Sequence, residues 1–259
     1  MCELLAMSAN VPTDIVFSFT GLAERGGRTG PHVDGWGITF YEGRGCRTFK
    51  DAKPSSDSEI AKLIKAYPIK SEVVVSHIRQ ANRGAVSLEN THPFVRELWG
   101  RYWTYAHNGQ LSGYQEKLNS SRYQPVGDTD SEMAFCWILQ QLTEKFGEGR
   151  PETMTPVFEY IASLAEQIRQ LGVFNMLLTD GEYLMTFCSN NLCYITRRAP
   201  FGKAKLIDTD VVIDFNQETT PDDIVTVIAT RPLTDNEQWH ILQPGNWRLF
   251  RLGEVCAGS

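Results

Sequence analysis

The sequence predicts an α+β protein built on two mainly antiparallel sheets with helices outside them. Three observations carry that expectation. Short β-rich runs fill the first third, two long amphipathic helices fill the middle, and β-rich runs return in the last third. This order lacks the strand–helix alternation that a parallel α/β sheet requires.

In chain order, Gly35 to Tyr41 and Glu72 to Ile78 read as strands rich in β-branched and aromatic residues. Between them, Ile60, Leu63, Ile64 and Tyr67 recur at helical spacing from Ser58 until Pro68 stops the pattern. Tyr102 to His107 reads as a further strand, ending at the turn dipeptide Asn108-Gly109. Thr129-Asp130-Ser131-Glu132 fits a capping box, and Phe135, Ile138, Leu139, Leu142 and Phe146 follow on one helical face. A second helix is expected from Glu152 to Leu171, with Val157, Ile161, Leu164, Ile168 and Leu171 as its apolar stripe and Gly172 as its stop. Val173 to Thr179 and Glu182 to Cys188 flank the hairpin signal Asp180-Gly181. Leu192 to Arg197, Val211 to Phe215, Ile224 to Thr230 and Trp247 to Leu252 complete the expected strands. No repeat or Pro/Ser-rich linker interrupts the chain, so one domain over residues 1–259 is the simplest account.

Composition narrows the function classes. With 259 residues, 42% of them hydrophobic, the chain is long enough for a sizeable core. A net charge of −6 repels nucleic acid and anionic membranes, so neither is expected as a partner. No apolar run approaches the roughly 20 residues of a membrane helix, and the first ten residues do not resemble a secretory signal. Six cysteines without a C-x-x-C pair fit a reduced, cytoplasmic protein. The five histidines show no metal-ligand spacing, and no phosphate-binding G-x-x-x-x-G-K-[ST] run is present, so no metal or cofactor is expected. Arg25 to Gly30, embedded in an acidic chain, reads as a flexible loop bordering a pocket.

Four segments could carry chemistry. Cys2, once Met1 is removed, would join a thiol to a free α-amine whose ordinary pKa is about 7.7 to 8.0, a self-contained nucleophile and base. Position alone also fits an incidental cysteine near a chain end. The run from Ser76 to Gly84 brings Arg79, Asn82 and Arg83 to a strand end, where paired guanidinium donors suit a carboxylate; solvated surface arginines account for it equally. Asn108 and Gly109 could aim a side-chain amide and a backbone N–H at one oxyanion, or form a plain turn. The acids of Gly127 to Glu132 favour a helix start, and one of them could instead bind an ammonium.

Met-Cys-Glu, H-I-R, H-N-G and T-D-S-E occur here in the order seen in class-II glutamine amidotransferase domains, which the chain resembles. The runs DGWGITFYEG, HIRQANRG, ENTHPF and YAHNGQL extend the resemblance, over essentially the whole chain, to stand-alone bacterial YafJ-type members. The resemblance implies the four-layer αββα sandwich of N-terminal-nucleophile hydrolases. It also implies hydrolysis of the side-chain amide of L-glutamine, without a cofactor, through a γ-glutamyl thioester. Cys2 would be the nucleophile, and Asn108 and Gly109 the oxyanion hole. Arg79 would bind the α-carboxylate and Asp130 the α-ammonium. Members joined to synthetase domains usually carry H-T-R-W-A-T-H-G where this chain has H-I-R-Q-A-N-R-G. Gln80, Asn82 and Arg83 thus replace residues that close on glutamine, and Asn82 or Arg83 would assist Arg79. No length remains for a synthetase domain, so either a separate protein accepts the ammonia or hydrolysis itself is the function. Two alternatives stay open: a hydrolase of another γ-glutamyl amide or peptide, and a catalytically inactive glutamine-binding module.

Overall fold

Strands buried on both faces dictate the layering. The computed structural model describes residues 2–67, 69–81, 84–215 and 220–259. In strand β1 (Glu3–Thr13), Leu5, Met7 and Ala9 enter one core while Leu4 and Ala6 enter another. Successive side chains of a strand point to opposite faces, so β1 must lie in a sheet covered on both sides.

Among the described residues, β1 is central in a seven-stranded sheet. Its order is β13 (His240–Ile241), β9 (Cys193–Arg198), β12 (Ile224–Ala229), β1, β4 (Ser71–Ile78), β2 (Trp36–Glu42) and β3 (Gly45–Asp51). A six-stranded sheet runs β15 (Glu254–Gly258), β14 (Trp247–Arg251), β8 (Leu184–Phe187), β7 (Gly172–Thr179), β6 (Arg101–Leu111) and β5 (Phe94–Leu98). Every neighbouring pair in both sheets is antiparallel. A separate ribbon pairs β10 (Lys203–Lys205) with β11 (Val212–Asp214).

Three apolar cores join four layers. Phe19 and Leu22 of α1 (Val16–Arg25) and Ala61 and Ile64 of α2 (Glu59–Ala66) pack on the outer face of the first sheet. Phe135, Ile138 and Leu142 of α4 (Asp130–Phe146), with Phe158 and Ile161 of α5 (Thr155–Arg169), cover the second sheet. Leu4, Val73, Val75, Ala106, Leu177 and Phe250 fill the space between the sheets. Each such side chain contributes roughly 1.5–3 kcal/mol when fully buried, so the layers are held mainly by these three interfaces. The arrangement is the αββα sandwich of the expected α+β class. A short α3 (Tyr114–Lys117) follows β6.

The expected helices form close to their predicted bounds. Thr129 Oγ1 accepts from the Glu132 N–H at 3.2 Å and so caps α4. Glu132 does not complete the box; its carboxylate pairs with Arg96 and accepts the Gly127 N–H. Asp180 organises the β7–β8 turn by accepting from the N–H groups of Glu182 and Tyr183. Eight elements among the described residues have no counterpart in the sequence reading: β1, α1, β3, β5, α3, β10, β13 and β15. The Asn108-Gly109 turn is corrected, because β6 continues through both residues and pairs Asn108 with Asn175 and Gly109 with Phe174. Arg25 is not part of a flexible loop. It is buried, bonding Glu3 and Asp208. No helix among the described residues is long and apolar enough to cross a membrane.

Candidate active site

Strand register builds the site from distant parts of the chain. Glu3 pairs with Ile78, so the residue before β1 lies beside the residues that follow β4. Cys2 Sγ accepts from the Gln80 N–H at 3.3 Å and lies 3.6 Å from the Gln80 carbonyl oxygen. The segment after β4 is itself fixed. Arg79 N–H donates to Gly35 O at 2.8 Å, and Ala81 N–H donates to the Asp34 carboxylate at 2.7 Å. Arg79 is buried, and its Nη1 donates to Ala85 O at 2.8 Å.

The opposite wall comes from the end of β6 and the start of α4. Asp130 Oδ2 accepts from the Leu111 N–H at 2.6 Å, and Oδ1 accepts from the Ser131 N–H at 2.8 Å. The carboxylate thus sits at the positive end of α4, stabilised by the helix dipole. His107 Nε2 lies 3.1 Å from Val173 O and Nδ1 lies 2.7 Å from Ser131 Oγ. A carbonyl can only accept, so Nε2 carries the proton and Ser131 O–H donates to Nδ1. Burial depresses the pKa of His107, against the pull of Asp130, which keeps this ring neutral.

One pocket is walled by Cys2, Arg79, Ala81, Gly109, Gln110 and Asp130, among others. Four of the sequence-predicted site residues, Cys2, Arg79, Gly109 and Asp130, therefore face a common space. Asn108 lies one step behind that wall, fully buried between the sheets. Its Nδ2 points at Thr230 Oγ1 at a long 3.5 Å, and its Oδ1 has no protein partner among the described residues. Thr230 Oγ1 also accepts from Leu4 N–H at 2.8 Å, which ties Asn108 to the start of β1. Asn82 and Arg83 lie outside the described residues.

The charges converge on the thiol. Burial pushes the Cys2 thiol above its ordinary value, the Gln80 N–H and the Arg79 guanidinium pull it down, and the Asp130 carboxylate pushes it up. The result is a raised pKa, so a base is needed to make the thiolate near neutrality. His92 forms part of the pocket wall, and its ring lies tilted against His77 at 4.2 Å between centres, with all four ring nitrogens unpartnered among the described residues. Burial lowers His77 to about 3 and His92 well below its ordinary value, so both are neutral. No three His, Cys, Asp or Glu side chains among the described residues gather as metal ligands would.

Sequence reasoning missed Gln80 as the seat of the thiol, Thr230 beside Asn108, and the Ser131–His107 pair. Each is brought in by register or tertiary packing across 24 or more residues, so no local signal could have found it.

The model of the class-II glutamine amidotransferases matches residues 1–259. The chain is 68% identical over 254 residues to YafJ of Escherichia coli (strain K12), which carries a glutamine amidotransferase name, covering 98% of this chain and 99% of that one. It is 48% identical over 257 residues to a Haemophilus influenzae protein of the same name, covering 99% and 86%. A Pseudomonas aeruginosa PA01 crystal structure, described as a predicted glutamine amidotransferase, superposes with a TM-score of 0.80 at 54% identity over 99% of this chain and 100% of that one. The Bacillus subtilis glutamine phosphoribosylpyrophosphate amidotransferase shares the fold, with a TM-score of 0.53 at 14% identity over 100% and 49% of the two chains.

Proposed function

Because the chain belongs to the class-II glutamine amidotransferases, we propose that it hydrolyses the side-chain amide of L-glutamine with Cys2, exposed by loss of Met1, as its nucleophile. The observation that supports this most directly is the convergence of Cys2, Arg79, Gly109 and Asp130 on one pocket from four separate segments.

In this reading the Arg79 guanidinium holds the substrate α-carboxylate and the Asp130 carboxylate holds its α-ammonium, with Asn82 or Arg83 assisting Arg79. The two charges fix the α-carbon and leave the side-chain amide extending toward Cys2. The Cys2 α-amine, ordinarily titrating at about 7.7 to 8.0, removes the thiol proton. Sulfur attacks the amide carbon, and the carbonyl electrons move onto oxygen. That oxyanion is met by the Gly109 N–H and by the Asn108 Nδ2 hydrogen that is not turned to Thr230. Loss of one such donor typically costs about 100- to 1,000-fold in rate. The α-amine then returns its proton to the leaving nitrogen, ammonia departs, and a γ-glutamyl thioester remains. Water, deprotonated by the same amine, attacks that thioester and releases glutamate and the thiol. The ammonia is either a final product or is taken up by a separate protein.

Purified protein tests this. Release of ammonia and glutamate from L-glutamine is expected, and Cys2→Ala should lower it by about 10,000-fold. Intact mass should show active protein without Met1; activity in protein that keeps Met1 overturns the N-terminal mechanism. If γ-glutamyl peptides are cleaved while glutamine is untouched, the substrate is a larger γ-glutamyl amide. If neither is cleaved, the protein is a binding module.

A further inference from the structure

Asn90, in the ENTHPF run, takes no part in the chemistry above, yet it bonds to a neighbour of each group assigned to the substrate α-carbon: Asp128, two residues before Asp130, and Ala85 O, to which Arg79 also donates. Asn90 is almost completely buried. Its Nδ2 donates to Asp128 Oδ1 at 2.7 Å and to Ala85 O at 3.2 Å, and its Oδ1 accepts from the Asp128 N–H at 3.0 Å. Both amide hydrogens and the carbonyl are engaged, so the side chain cannot rotate without breaking bonds. Ala85 O is also the acceptor for Arg79 Nη1. Asp128 stands two residues before Asp130, at the start of α4.

Two glycines make room for this bridge. A Cβ on Gly127 would stand 2.1 Å from Asn90 Oδ1. Gly84, at φ +74°, brings its backbone so close that a Cβ would meet Asp128 Oδ1 at 2.7 Å, Asn90 Nδ2 at 3.3 Å and Arg79 Nη2 at 3.4 Å. The Arg79 guanidinium, Asn90 and Asp128 therefore crowd around one point of the backbone.

We propose that Asn90 is a positioning residue that sets the separation of the Arg79 guanidinium and the Asp130 carboxylate, and so selects substrates bearing a free α-carboxylate and α-ammonium on one carbon. This rests on the assignment of those two groups as the binding sites for the substrate's α-substituents. Asn90 touches neither the substrate nor Cys2. Its loss weakens recognition of the amino-acid head and leaves the nucleophile intact.

The test uses two electrophiles on the full chain, with Cys2 followed by peptide mass mapping. 6-Diazo-5-oxo-norleucine carries the amino-acid head, and iodoacetamide lacks it. In Asn90→Ala, modification by the first is expected to slow by about 10- to 100-fold, matching the loss of hydrogen bonds to a charged group, while iodoacetamide reacts as with the wild type. KM for glutamine should rise with little change in kcat. Asn90→Asp keeps the volume but faces Asp128 with a second carboxylate, and should behave the same way; it serves also if the alanine variant does not fold. Equal slowing of both reagents, or slowing of neither, overturns the inference. If wild-type Cys2 takes iodoacetamide but no diazo-norleucine adduct, the glutamine reading itself fails and this inference falls with it.

Discussion

The Cys2 thiol rests on the backbone of one residue, Gln80, whose N–H donates to Sγ at 3.3 Å and whose carbonyl oxygen lies 3.6 Å away. The N–H favours the thiolate and the carbonyl favours the thiol, so the same seat accommodates sulfur in both protonation states. Burial weighs most and favours the thiol, while two side-chain charges at the site oppose each other: Arg79 favours the thiolate and Asp130 disfavours it.

Asp130→Asn should therefore act in opposite directions in two assays. Removing the negative charge lowers the Cys2 pKa, so alkylation by iodoacetamide at pH 7 to 8 should accelerate a few-fold, with its midpoint moved to lower pH. Loss of the ammonium partner should raise KM for glutamine by about 10- to 100-fold. The asparagine still accepts from the Leu111 N–H, so the start of α4 is preserved. Alkylation that slows instead would show that the Asp130 charge does not act on the thiol.

Gly109 is fixed by close approach of two strands. A Cβ there would lie 1.8 Å from Val173 O and 2.6 Å from His107 Nε2, so β6 and β7 would have to part. Gly109→Ala is expected to lose about 4 kcal/mol or more, read by urea unfolding or as failure to express in soluble form. A variant with wild-type stability would show that the strands have room to separate.

The same residue shows where sequence reasoning ends. Asn108-Gly109 carries the signature of a turn, but the glycine serves close strand contact, which depends on a partner strand more than 60 residues away. β1 was missed for a related reason: buried on both faces, it lacks the alternation that marks a half-exposed strand. The helices were legible because their caps and apolar stripes are local, as Thr129, Phe135, Ile138 and Leu142 illustrate. The chemically distinctive Cys2, Arg79, Gly109 and Asp130 were legible as residue types in ordered motifs. Their supports, Gln80, Thr230 and Asn90, have ordinary side chains and acquire meaning only through tertiary contact.

Stability should fall steeply in acid because of the buried histidines. His77 is held at about 3 against an ordinary 6.5, and His92 is lowered as well, in both cases chiefly by burial. A histidine whose folded pKa is depressed contributes stability that is present above its unfolded value and lost as pH falls toward the folded one. Between pH 6.5 and about 4, unfolding free energy should therefore drop by up to about 1.4 kcal/mol per pH unit for each such ring. His92→Phe removes one of these protons and should flatten the urea-midpoint profile over that range while leaving the slope above pH 7 unchanged. Identical acid slopes in the two proteins would show that His92 is not the source.

In the proposed mechanism Cys2 begins the mature chain with no preceding residue to hold it, so its position depends on the residues that follow. Residue 3 carries that load here. The buried Glu3 carboxylate accepts from Arg25 Nη1 at 3.1 Å and from Arg231 Nη2 at 2.6 Å. Arg25 is held in turn by Asp208 at 2.7 Å and by Pro232 O at 2.7 Å. The segment is thereby fastened to α1 and to the chain after β12. Glu3→Gln keeps the shape but removes the charge, leaving Arg25 paired with Asp208 and Arg231 free to turn to solvent. The expected loss is about 2 to 4 kcal/mol in stability. It should come with a fall in kcat and little change in KM, since Arg79 and Asp130 stand on other segments. Arg231→Gln, which removes the more exposed partner, should cost less on both measures. Because Glu3 and Arg25 are buried, raising the salt concentration should not reproduce the effect in the wild type. A Glu3→Gln enzyme with wild-type kcat would mean that backbone pairing of β1 suffices to hold Cys2 in place.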